Sequence, residues 1–156
     1  MAKRDTDLIG DERITAYGML LEANRRLERV FEHSLREHHD MTNVAFEALL
    51  RLGRSEGGQM SMSELADQMV LTSGGVTRLI DRLNETGLVE RLQCAEDRRV
   101  QWAHITDAGR IRLAEALETH LVDLETHFVS LIEPDELVVL SRVLDRVRSE
   151  CRLGTH

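Results

Sequence analysis

The chain has 156 residues, 42% of them hydrophobic but only 3% aromatic, with a single proline and a formal net charge of −8. Leu, Ala, Glu and Arg are abundant, so a mainly helical protein with a real core is expected. No apolar run approaches the roughly 20 residues of a membrane span, and MAKRDTDLIGDER lacks the apolar stretch of a signal peptide, so a cytoplasmic protein with no membrane partner is expected. Cys94 and Cys151 are far apart and form no CxxC pair, which reads as two free thiols.

Taken whole, the acidity argues against nucleic acid, because the footprint of a DNA binder is basic. The charge is uneven, however. Residues 72–112 hold seven arginines against six acidic residues, a net of +1, and the rest of the chain carries −9.

In chain order, residues 11–37 place Ile14, Tyr17, Leu20, Leu21, Asn24, Leu27, Val30, Phe31 and Leu35 at mostly helical spacing, which predicts one long amphipathic helix. TNVAFEALLRL at 42–52 predicts a second helix with Thr42 as N-cap. RSEGGQ at 54–59 reads as a turn. Ser61-Met62-Ser63-Glu64 fits a capping box, opening a short helix over SELADQM. Thr72 is a second N-cap, and the helix it opens stops at Gly87. LVERLQ and VQWAHIT flank the polar run CAEDRR, which predicts a β-hairpin. A long helix follows from Thr106 to about residue 131, and after Glu133-Pro134-Asp135 a last helix runs over about 135–152.

Two short helices in tandem make a helix-turn-helix, and the hairpin after them reads as a wing. In the helix after Thr72, Val76, Leu79, Ile80 and Leu83 form the buried stripe, with Gly74, Thr77, Arg78 and Asp81 on the opposite face. Gly74 and Gly75 stand where such a helix would enter a major groove. Without side chains they let backbone N–H groups approach phosphate or base edges. Thr77 and Arg78 follow one turn later, suited to a thymine methyl and to guanine O6/N7. The competing reading is that the glycines serve close helix packing and Arg78 is merely solvated. Arg98 and Arg99, near the hairpin tip, suit the negative potential of a minor groove, with Asp97 able to hold one guanidinium in place. The competing reading there is a charged, soluble turn.

Residues 63–110 resemble the winged helix of MarR-type transcriptional regulators, through SELA at 63–66, VTRLIDRL at 76–83, GLVER at 87–91, DRR at 97–99 and ITDAG at 105–109. MTNVAFEALLRL at 41–52 is similar to the family's preceding helix more loosely, and the long first helix and last two helices agree by layout only. The resemblance implies a homodimer on a palindromic operator in double-stranded DNA, acting as a repressor released by a small-molecule effector or an oxidant. It places Thr72, Ser73, Gly74, Thr77 and Arg78 at the major groove and Arg98 or Arg99 in the minor groove. Ser61 and Ser63 become candidates for phosphate contacts. The expected fold is mainly α with a small β-hairpin wing: one domain over 1–156, with DNA-binding region 42–106 between helical dimerisation segments 11–37 and 110–152.

A dimer is also expected from the residues. Leu137, Leu140, Leu144, Val147 and Cys151 step 3-4-3-4 like a coiled-coil seam. Leu113, Leu117, Leu121, Leu124, Phe128 and Leu131 make a similar stripe.

His38, His39, Asp40, His120 and His127 are candidate metal ligands. No tight HxxxH or CxxC occurs, so structural or solvated histidines are expected and no metal or other cofactor. Cys94 lies beside Glu96 and Asp97, which disfavour a thiolate. Trp102 is expected to pack on the wing's own sheet. No nucleophile–base motif or phosphate loop points to an enzyme. The net charge of −8 favours one rival, a ligand- or zinc-sensing helical dimer with little direct DNA binding.

Overall fold

The computed structural model describes residues 8–93 and 100–151. Asp11 caps the first helix, α1 (Glu12–His39), and the Arg13 guanidinium beside it holds the Asp11 carboxyl below its ordinary range. Helix α2 (Asn43–Arg54) starts at Thr42, whose hydroxyl accepts from the Ala45 N–H. A one-turn 3-10 helix at Glu56–Gly58 leads into β1 (Gln59–Ser61), then α3 (Met62–Gln68) and α4 (Ser73–Glu85). Strands β2 (Val89–Gln93) and β3 (Gln101–Ile105) form the hairpin, followed by α5 (Asp107–His127), a 3-10 turn at Val129–Leu131 and α6 (Pro134–Glu150).

The predicted helices and hairpin are present, so the fold is mainly α with a small wing. Two local expectations need correction. The stretch 54–59 is not simply a turn: Gln59–Ser61 is a strand that pairs antiparallel with β3, Met60 facing Ala103, giving a sheet of order β1-β3-β2. Three residues are too few to show a period, and only the long-range pairing defines them as a strand. The helix after Thr106 stops at His127 rather than 131, because Phe128 leaves helical backbone (φ −133°, ψ −62°).

The chain divides into two compact units, 1–120 and 121–156. The core of the first unit gathers Leu35, Leu49, Leu52, Leu65, Val76, Ile80, Val89 and Ile105, all fully buried. The alternation of β3 sends Ala103 and Ile105 into this core. Trp102 takes the outer face of the sheet, opposite Ser61 and Leu92. The second unit has no buried residue in α6.

Both helices of the central pair end in the same hydrogen-bonded turn. After α4, the Leu88 N–H bonds the Leu83 carbonyl and the Gly87 N–H the Asn84 carbonyl, with Gly87 at φ +73°. After α3, Leu71 bonds Ala66 and Val70 bonds Asp67, but the left-handed residue is Val70 at φ +52°. Glycine is the usual residue there, and a β-branched residue is strained.

Gly109 explains the start of α5. A Cβ there would overlap the Leu88 carbonyl oxygen and lie 2.8 Å from Ile105 Cγ1. Thr106 locks the same junction. Its hydroxyl donates to the Gly87 carbonyl (2.7 Å) and accepts from the Gly109 N–H (3.0 Å).

Candidate nucleic-acid interface

Helix α3 begins with the capping box read from the sequence. Ser61 Oγ accepts from the Glu64 N–H at 3.2 Å, and the Glu64 carboxylate accepts from the Ser61 N–H. Ser61 is only 8% exposed and its hydroxyl also donates to Glu64 at 2.7 Å. The residue is spent on the cap. Ser63, two residues on, is exposed, with its hydroxyl 3.3 Å from Ser61 Oγ.

Helix α4 begins at Thr72, whose Oγ1 accepts from the Gly75 N–H at 3.1 Å. The N–H groups of Ser73 and Gly74 come earlier and have no intrahelical acceptor. Both residues are exposed, and the first turn of α4 contains no acidic side chain. The positive end of the helix dipole is thus presented without a neutralising carboxylate.

The two glycines divide the two readings between them. A Cβ at Gly75 would press on Thr72 Oγ1 at 3.2 Å, so Gly75 serves the helix's own cap. A Cβ at Gly74 would meet nothing within 4 Å, so no internal packing requires that glycine.

One turn on, Val76, Ile80 and Leu83 are buried as the stripe predicts, with Leu79 packed at its edge. Arg78 is exposed on the other side and, among the described residues, makes no ion pair. Thr77 is half-buried and donates its hydroxyl hydrogen to the Ser73 carbonyl at 2.8 Å. Arg98 and Arg99 lie outside the described residues, as does Cys94.

The beginnings of α3 and α4 and the hairpin strands enclose an open concavity of about 490 Å³, lined in part by Ser63, Ser73, Thr77, Arg91 and Gln101. Arg91 and Gln101 were not singled out from the sequence. The signal was strand parity: Arg91 is two residues beyond buried Val89, so it continues the core-facing side of β2 outward.

The histidines weighed as metal ligands have other surroundings. His39 is buried with Nε2 at 2.7 Å from Thr119 Oγ1, and His38 Nδ1 lies 2.9 Å from the Ser34 carbonyl oxygen. His120 sits between the rings of Phe31 and Phe46, with centroids 4.8 and 4.7 Å away. His127 is exposed. Among the described residues no three His, Cys, Asp or Glu side chains are grouped to hold a metal ion, and no helix is long and apolar enough to cross a membrane.

Comparison with known proteins agrees with this geometry. Residues 39–100 match the sequence model of the MarR family. The chain is 33% identical to the HTH-type transcriptional regulator YkoM of Bacillus subtilis over 120 residues, 74% of this chain and 77% of that protein. Its fold is similar to that of AbsC, a MarR family transcriptional regulator from Streptomyces coelicolor. The TM-score is 0.83 at 30% identity, over 91% of this chain and 95% of that one. It is also similar to Sco3205, a MarR family regulator from the same organism solved in complex with DNA. There the TM-score is 0.84 at 24% identity, over 92% and 89% of the two chains.

Proposed function

The chain belongs to the MarR family of transcriptional regulators, and on that premise we propose that it is a homodimeric repressor that binds a palindromic operator and is released by a small ligand. The observation that carries the DNA contact is the start of α4. Two exposed residues offer unpartnered N–H groups, no acidic side chain stands in the first turn, and exposed Arg78 follows one turn later. Thr72, Ser73, Gly74, Thr77 and Arg78 then meet the major groove. Ser63 is better placed than Ser61 for a phosphate, and Arg98 or Arg99 is assigned to the minor groove from the sequence pattern alone. That Sco3205, which is similar in fold, was solved in complex with DNA supports DNA binding by this chain, not the individual contacts.

Unburied apolar surface supports the dimer. Within 1–120, Ile14, Tyr17, Leu20 and Leu21 are exposed. Within 121–156, so are Leu121, Leu131, Leu144 and Val147, while Leu137 and Leu140 are only half-buried. Apolar surface of this extent on an isolated chain marks an interaction surface. Two identical subunits related by a two-fold axis present two identical reading heads, which is why the operator is expected to be an inverted repeat. Release by a small ligand rests on the family likeness.

Binding-site selection tests the proposal. The wild type should enrich an inverted repeat. Arg78→Ala should lose roughly 1–3 kcal/mol on that site and relax preference at one symmetric base position. Arg99→Ala should weaken binding while mainly blunting any preference for A·T-rich flanks. Unchanged affinity and base preference for Arg78→Ala would refute the reading-helix assignment.

A further inference from the structure

Among the described residues, β2 is packed into the core at its root. Val89 is buried, but Glu90, Arg91, Leu92 and Gln93 are all exposed. Strand β1 supports β3 no further out than the Ser61–Trp102 pair, so the Gln93–Gln101 pair projects beyond it. Among the described residues, β2 beyond Val89 buries no apolar side chain that would fix the pitch of the ribbon against the helix beside it.

One guanidinium supplies that link. Arg91 Nη1 donates to Asp81 Oδ1 on α4, and its Nη2 donates to Gln101 Oε1 on β3. The guanidinium is planar and its donors are rigidly disposed. One side chain of β2 therefore holds the neighbouring strand and the helix in a fixed relation. Asp81 lies three and four residues after Arg78 and Thr77, on the same face of α4. The hairpin is thus referenced to the face of α4 that is proposed to read DNA.

We propose that Arg91 is a positioning residue for DNA recognition, setting the angle of the wing to α4 through Asp81 and Gln101. The inference rests on the DNA-binding reading above. A pair this exposed contributes little to stability, so its effect is expected in operator affinity and not in the unfolding midpoint.

Asp81 allows a test by sign. Removing a carboxylate from a DNA-facing surface tightens binding if only Coulomb attraction to phosphates is at work. If the carboxylate orients Arg91, removing it weakens binding. The experiment measures fluorescence anisotropy on the selected operator for Asp81→Ala, Arg91→Ala, the double variant and Gln101→Ala, at two salt concentrations, with urea midpoints alongside. Asp81→Ala should bind on the order of tenfold more weakly, the scale of a coupled pair, with the loss persisting at the higher salt. In the Arg91→Ala background the same change should cost nothing further. Gln101→Ala alters no charge and should also weaken binding, which keeps the test open if Asp81→Ala fails to fold. Equal or tighter binding by folded Asp81→Ala, or by Gln101→Ala if the other is unfolded, overturns the proposal while leaving the DNA-binding reading intact. A wild type without site preference on any DNA overturns both.

Discussion

Val70 should be a worse residue for its own position than glycine. It occupies the left-handed slot of the turn between α3 and α4 at φ +52°, with 88% of its surface exposed. Left-handed backbone costs an L-residue roughly 1–2 kcal/mol, and β-branching adds to that. Almost no burial is lost on truncation, so the opposing term is the extra freedom glycine gives the unfolded chain, about 0.5–1 kcal/mol. Val70→Gly should therefore stabilise the fold by about 0.5–1 kcal/mol, raising Tm by roughly 1–4 °C for a chain of this size. Gly87 closes the equivalent turn of α4 at φ +73°, and a Cβ there would meet nothing within 4 Å. Gly87→Val is the mirror experiment and, by the same two opposing terms, should lose about 0.5–1 kcal/mol. Urea and thermal unfolding followed by circular dichroism give both numbers, at one fixed protomer concentration because the proposed dimer makes stability concentration-dependent. A lowered midpoint for Val70→Gly would refute the left-handed assignment at residue 70.

Gly109→Ala should destabilise by about 3 kcal/mol, the upper part of the overpacking range, because the new methyl meets the Leu88 carbonyl oxygen and Ile105. A change under about 1 kcal/mol in urea titration would show that the α5 start can shift. Replacing Leu140 and Leu144 together with Glu should convert the proposed dimer to monomer or aggregate and abolish operator binding. Light scattering reads the mass, and a monomeric wild type contradicts the dimer outright. Affinity for random DNA should be poor and steeply salt-dependent, since the chain as a whole carries −8. Tight binding of random DNA at physiological salt, measured by anisotropy, would contradict the view that a few base contacts carry specificity.

Much of the reading head was legible because its signals are local. Both caps, at Ser61 and Thr72, need only a hydroxyl followed three residues later by an N–H, and the Val76–Ile80–Leu83 stripe repeats within one helix. What escaped depends on distant partners. Strand Gln59–Ser61 is defined by β3, some forty residues on. The left-handed Val70 was masked because valine gives no turn signal, and only the carbonyls of Ala66 and Asp67 reveal the motif. The separate duties of Gly74 and Gly75 could not be told apart in sequence, since they differ only in what a Cβ would touch. Arg91 carries no mark of this link in the sequence, because Asp81 and Gln101 each lie ten residues away and only the fold brings them to its guanidinium.

The most direct test of the central claim is a gel shift on the promoter region of the protein's own gene, with unlabelled random DNA of equal length as competitor. Sequence-specific regulation predicts a discrete complex that survives a large excess of random DNA and is lost with unlabelled promoter. No shift, or equal competition by random DNA, would contradict it.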